Sequence, residues 1–274
     1  MGMERFGNAV LALALLLPGA SPAFEDERKY ALYAEGDIVL NPDGTVRDYT
    51  LTSTELPPSI AVPVDRSVRS WRFVPVLVDG QPVAAKSRWN LRLSLEPVDG
   101  NYRMRITKVT FGNPKRVHGL TPPKYPRDAA VAGIGAQVDL ALKLDDKGKV
   151  IAAHSYQTSL THRANDKVSG AWRRRFEQAA TEAAMQWTFD LTETIGGKTV
   201  ESITRVPVEF VAPTRNGEGM TRWQSYVPGP INPLPWPEAT GAVVDIDQRE
   251  PGDDAPRSMS SRFRLVDDVV GKVL

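Results

Sequence analysis

Two stretches of the chain run through the same order of hydrophobic landmarks. In the later one, Gln137–Leu144 sets Val138, Leu140, Leu142 and Leu144 between mostly polar or small residues, the period of a strand buried on one face. Asp145-Asp146-Lys147-Gly148 follows as a turn, and Val150–Thr158 returns as the second arm of a hairpin. From Trp172 the apolar residues recur at Phe176, Ala180, Ala183/Ala184 and Trp187, one face of a helix. Val200–Val211 carries Ile203, Val206, Val208 and Phe210 and reads as a closing strand, with Arg205 among them.

The earlier stretch is a shorter version. Ile38-Val39-Leu40 and Asp43-Gly44-Thr45-Val46 make its hairpin, Ile60, Val64, Val68 and Trp71 its helical face, and Trp89–Leu93 its last strand. Pro63 in that helix is expected in the first turn, where a missing N–H costs nothing. Gly44 and Gly148 are 104 residues apart, Trp71 and Trp187 116, and Val83 and Val200 117. The drift places one insertion of about 12 residues around His162–Trp172. Met104, Ile106 and Val109 predict one more strand between the copies, and Arg127–Ala132 a short helix ended by Gly133.

These elements predict an α+β chain of two tandem small modules, each a helix packed on a three-stranded antiparallel sheet. The boundaries are 24–112 and 113–212, with a Pro-rich tail over 213–274. Eight of the 22 prolines fall in that tail. Thr214–Arg262 reads as extended or disordered and Phe263–Leu274 as a docked strand or helix. Trp223, Tyr226 and Trp236 are too aromatic for a spacer and are expected to pack back onto a domain.

Composition narrows the function. Hydrophobic residues at 41% exclude a wholly disordered chain, and a net charge of +1 provides no field to draw it onto nucleic acid or an anionic membrane. The absence of cysteine excludes disulfides, thiolate metal sites and a cysteine nucleophile. At the N-terminus the apolar run Ala9–Leu17 is too short to span a bilayer. With Ser21 and Ala23 at the −3 and −1 positions, residues 1–23 read as a signal peptide, and the mature chain starts near Phe24. The expected location is the periplasm, without a membrane span.

Candidate chemistry is sparse. His118, His154 and His162, with Asp166 near the last two, do not carry a spacing that forces metal ligands together. No Gly-x-Ser-x-Gly elbow occurs. Gly133-Ile134-Gly135 is followed by a strand rather than a helix, so it is no dinucleotide fingerprint. Asp43-Gly44 and Asp145-Asp146 lack the twelve-residue calcium spacing and read as turns. Arg173-Arg174-Arg175, with Arg163 and Lys167, forms a basic patch placed at a helix start, with Glu177 and Glu182 as neighbours. Trp71 and Trp187, at the same helix end in both copies, read as core plugs rather than stacking platforms. The expectation is a protein that is not an enzyme and needs no cofactor or metal.

Pro123-Lys124-Tyr125-Pro126 with Ala129, Gly135, Gly148 before Val150, the helix Phe176–Ala184, Trp187-Thr188-Phe189 and Val206-Pro207-Val208-Glu209-Phe210 together resemble the TonB C-terminal domain family over Thr121–Val211. The copy over Tyr30–Glu96 is similar in degenerate form and lacks the Pro-x-Tyr-Pro opening. The resemblance implies an αβ domain that binds an extended segment, the TonB box of an outer-membrane receptor, as an added strand along Val200–Val211. It implies contacts at Tyr125, Pro126, Arg205, Val206, Val208 and Phe210, the last four through backbone. It also implies a TonB-dependent outer-membrane receptor or other envelope protein as partner in TonB-linked transport. The family's transmembrane helix and proline-rich spacer do not precede this domain, so force transmission by this chain alone is not expected. The alternative expectation is a structural envelope protein whose modules pair with each other or in a homodimer. Whether the edge along Val200–Val211 is free or covered separates the two.

Overall fold

The computed structural model describes residues 30–53, 56–98, 101–116, 120–212, 226–239 and 255–274. Residues 1–23, read above as a signal peptide, and His118 and Trp223 lie outside the described residues. The elements are β1 (Tyr30–Leu40), β2 (Val46–Tyr49), α1 (Pro58–Ser70), β3 (Leu77–Val78), β4 (Gln81–Pro82), β5 (Ala85–Val98), β6 (Asn101–Phe111), β7 (Lys115–Arg116) and α2 (Arg127–Ala132). They continue with β8 (Ala136–Leu144), β9 (Val150–Leu160), α3 (Asp166–Ala184), β10 (Phe189–Asp190), β11 (Thr194–Ile195), β12 (Lys198–Thr199), β13 (Ser202–Phe210) and β14 (Arg257–Ser258). The architecture is α+β, with every strand pair antiparallel.

The two main sheets are larger than three strands, and β7 with β10 and β3 with β4 form two-stranded ribbons. The first runs β12-β11-β5-β1-β2, with β6 also paired to β5; the second runs β14-β13-β8-β9. The strand predicted at Met104–Val109 is β6, and it belongs to the first sheet. Extra strands were recruited because each closing strand, β5 or β13, offers an unpaired row of backbone groups that another segment satisfies.

Alternation decides each core. Ala136, Val138, Leu140, Leu142 and Leu144 of β8 are fully buried with Phe176, Ala180 and Ala184 of α3 and with Val206, Val208 and Phe210 of β13. In the first sheet Ile38, Leu40, Trp89, Leu91 and Leu93 pack with Val64, Val68, Trp71 and Phe73. The two hairpin glycines do one job. Gly44 (φ 82°) and Gly148 (φ 78°) are left-handed, and a Cβ at either would lie 2.0 or 1.8 Å from the carbonyl oxygen of Phe73 or Phe189. Phe73 N–H donates to Gly44 O and Phe189 N–H to Gly148 O, both at 2.9 Å.

Two helices differ from expectation. α1 begins at Pro58, so Pro63 sits in its interior rather than its first turn. The carbonyl this orphans is that of Ser59, which is exposed and open to water. α3 begins at Asp166, where the side chain of Asn165 accepts from Val168 N–H at 3.0 Å. Arg173–Arg175 therefore lie mid-helix, not at a helix start. Arg173 donates to Thr158 O and Pro228 O, and Arg175 pairs with Asp128 of α2 and lies over the Trp172 ring.

The tail is ordered where it is described. Val227 pairs with Leu160 at the outer edge of β9, and Asn232 N–H donates to Tyr156 O. Trp236, Leu234 and Ala239 pack with Met259, Ala141 and Ile203 on the sheet face away from α3, and Tyr226 donates to Glu209 at 2.8 Å. Phe263 enters the first core against Phe73 and Phe111, and Leu274 N–H donates to Met104 O along β6.

Between the two sheets lies one buried carboxylate. Glu193, just before the β11–β5 pairing, accepts from Ser261 Oγ at 2.7 Å, Arg262 N–H at 3.0 Å and Ser87 Oγ at 3.4 Å. Burial pushes its carboxyl above the ordinary 4.5, against the pull of those donors and of the Arg262 charge. The folded chain thus holds this proton longer than the unfolded chain does. Stability is therefore expected to fall as pH rises from 4.5 through the raised value, and Glu193→Gln is expected to remove that part of the slope. Urea unfolding across this pH range measures both; an unchanged slope in the variant would refute the assignment.

Candidate strand-addition edge

The edge is built on β13, whose inner side pairs with β8 from Ser202↔Leu144 to Phe210↔Ala136. On its outer side Ile203 N–H donates to Ser260 Oγ at 2.8 Å, and Ile203 O accepts from Met259 N–H at 2.7 Å. Successive backbone groups of a strand point to opposite sides, so Ile203, Arg205, Pro207 and Glu209 face outward and Thr204, Val206, Val208 and Phe210 face β8. Proline at 207 fits this geometry, because its missing N–H falls on the side with no ladder bond to make.

The tail occupies the first half of that edge. Thr204 pairs with Ser258 and Arg205 with Arg257, antiparallel. The second half differs: Pro207 is half-buried and Glu209 exposed, while the rest of β13 is buried. An added strand there finds the carbonyls of Pro207 and Glu209 and the single N–H of Glu209. Among the described residues, the edge is thus covered in part by the tail and not by the first sheet. A cleft of about 730 Å³ opens at its covered end, with Val76, Phe111, Ile203, Met259 and Phe263 among its walls.

The side chains expected at the site are mostly committed to the fold. Tyr125 donates to Ile134 O at 2.7 Å and meets Phe176 and Phe210 edge-on at 5.8 and 5.7 Å. Burial raises its phenol above the ordinary value. Pro126 caps α2, leaving the chain turned into the hairpin at left-handed Gly133. Val206, Val208 and Phe210 point into the core under α3. Arg205 points to the opposite face, where its Nε and a terminal nitrogen both donate to Asp139 Oδ1, at 3.0 and 2.7 Å. The structure thus gathers Tyr125, Pro126 and Phe210 at one end of β13 and sets Arg205 near its middle; what they leave to a ligand is backbone.

Electrostatics beside the covered half are cationic. Burial lowers the pKa of the Arg257 guanidinium, and the nearby charges of Arg205 and Arg92 lower it further. Among the described residues no group of three or more His, Asp or Glu side chains could hold a metal ion. His154 lies edge-on to Trp236 at 6.3 Å, and His162 Nδ1 is 3.0 Å from Thr161 Oγ1. No helix among the described residues is long and apolar enough to cross a membrane.

The segment that sequence reasoning missed is Arg257–Ser260, placed in the extended tail. Its signal is a weak period of two through Met259, Phe263 and Leu265, broken by Ser261.

No family model matches the chain, and no solved structure matches it. Two proteins named Protein TonB, from two strains of Xanthomonas campestris pv. campestris, are each 33% identical to it over 92 residues. The match covers 33% of this chain and 35% of each relative, so the chain matches about a third of their length. A domain-sized share of this chain is similar to part of TonB.

Proposed function

We propose that this chain is a periplasmic protein of TonB-linked envelope transport whose second module, residues 113–212, binds an extended segment of an outer-membrane receptor by strand addition to β13. The observation that carries the reading is the pairing of β14 with β13, since the edge already accepts a short antiparallel strand at Thr204 and Arg205. The similarity to two TonB proteins supports the transport setting. The first module, residues 24–112, is the non-binding partner of the same kind, because β5 has β1 on one side and β6 with β11 on the other. Glycine–phenylalanine contacts of the same form at both hairpins support a common origin for the two. The function involves no catalytic step and no cofactor.

One observation favours a second, structural reading. The tail crosses from the edge of β13 to the core of the first sheet and the edge of β6, joining both modules in one chain. NMR titration of the mature chain with peptides resembling TonB boxes separates the readings. Saturable shifts at Arg205, Glu209 and Tyr125 are expected; a well-dispersed spectrum with no shifts would leave the structural reading. Proline at 208 is a poor probe, because that N–H faces β8; Glu209→Pro removes the outward one and is expected to abolish the shifts.

A further inference from the structure

Resting on the strand-addition reading, we infer that the outer edge of β13 is a site for segments carrying a long unbranched apolar side chain between two hydroxyl residues, with the chain's own Ser258-Met259-Ser260 as resident ligand. The chemistry is read from that occupant. Met259 is 4% exposed and packs with Ala141, Ile203 and Ala239, bordered by Leu234 and Trp236. An apolar pocket made by Ala141, Ala239, Ile203, Leu234 and Trp236 suits a slim flexible side chain and disfavours a charged one. On either side of Met259, the hydroxyls serve backbone ends. Ser260 Oγ takes the Ile203 N–H, and Ser258 Oγ accepts from Ser260 N–H at 3.4 Å, holding the segment in a tight extended turn.

The resident ligand is held from both ends by contacts within the chain, and its following residue Phe263 is anchored in the core of the first sheet. Ser258 N–H donates to Asn113 Oδ1 at 3.0 Å, and four residues later Glu193 accepts from Arg262 N–H, with Phe263 behind it in the core. Held this way, the segment competes with any partner at high effective concentration. A partner's segment must displace it, so the affinity seen from outside is reduced by the fraction of chains in which the edge stands open. The partner is thus an extended peptide of the same pattern, docked antiparallel to β13.

A labelled synthetic peptide of sequence 255–262, titrated against the full chain, tests this by fluorescence anisotropy. Met259→Lys in the chain empties the pocket, and the peptide is expected to bind that variant about ten-fold or more tighter than the unaltered chain. Ser260→Ala, which loosens the occupant without altering the pocket, is expected to give a smaller gain in the same direction. The peptide with lysine in place of its methionine is expected not to bind. Equal affinity for all three chains, or indifference to the lysine exchange, would overturn the site. Competition with receptor-segment peptides then separates this inference from the reading beneath it. If the 255–262 peptide binds the Met259→Lys chain and receptor peptides neither bind that chain nor displace it, the site stands and the receptor reading falls. If receptor peptides bind all three chains equally and the 255–262 peptide binds none of them, the receptor reading stands and the resident-ligand inference falls.

Discussion

Asp139→Ala is expected to destabilise the fold by about 3–5 kcal/mol, the cost of leaving one member of a buried ion pair alone. The side chains of Asp139 and Arg205 are 3% and 6% exposed, and Arg205 places two nitrogens on one carboxylate oxygen. The pair spans β8 and β13 diagonally on the face away from α3, and Arg257 on β14 adds a further positive charge beside it. Without Asp139 the Arg205 guanidinium stays buried near a like charge, and unfolding relieves both. The double exchange Asp139→Leu with Arg205→Met is expected to recover most of the loss, because the expense lies in desolvating an unpaired ion rather than in losing attraction. Urea unfolding of the three variants measures this. A loss below about 1 kcal/mol for Asp139→Ala would place the pair in the class of hydrated surface bridges and remove it as an anchor of β13.

Trp187→Ala is expected to cost about 3–5 kcal/mol, in the range for deleting a large aromatic from a core. Trp187 is 5% exposed, sits just past the end of α3, and meets Phe189 edge-on at 6.5 Å. Its Nε1–H donates to Thr121 O at 2.8 Å. That bond ties the segment leading to Tyr125 and Pro126 onto the helix, so the alanine variant is expected to loosen the Tyr125 end of the edge as well. Trp187→Phe keeps the ring mass and drops the bond, with an expected loss of about 1 kcal/mol from the bond itself. Thermal unfolding, read with the Tyr125 resonances, separates the two contributions. A small loss on alanine exchange would mean that the tryptophan is a surface platform.

How far each element could be read depended on how local its cause is. α2 spans Arg127–Ala132 as expected, since a proline before it and a left-handed glycine after it are local stops. β8 follows from its alternation, and β9 from the glycine turn that returns the chain beside it. The start of α3 was missed by six residues because Asp166-Lys167-Val168-Ser169-Gly170-Ala171 carries almost no apolar period. Its signal is the Asn165 cap, one side chain accepting one N–H. An interior proline ordinarily breaks a helix, which is why the pattern favours a first-turn position for Pro63; the exposed Ser59 carbonyl, hydrated in place of its lost bond, lets α1 continue.

For the edge, the residues were legible and their roles were not. Arg205, Val206, Val208 and Phe210 were read as one strand, which they are. Which of their amides face outward depends on register with β8, and register is a property of two strands 66 residues apart rather than of either one. The same holds for the occupant. Arg-Ser-Met-Ser has little strand propensity, and it becomes a strand only because Ile203 and Arg205 present unpaired groups to it.

Periodicity and turn residues therefore determined the α+β class, the hairpins and the core faces of this protein, since each rests on neighbours within about a dozen positions. Tertiary structure alone decided that the sheets have six and four strands, that the tail joins them, and that the edge of β13 is half closed. Those outcomes follow from satisfying backbone groups across long sequence separations, where the chain's own pattern carries no signal until the partner strand is in place.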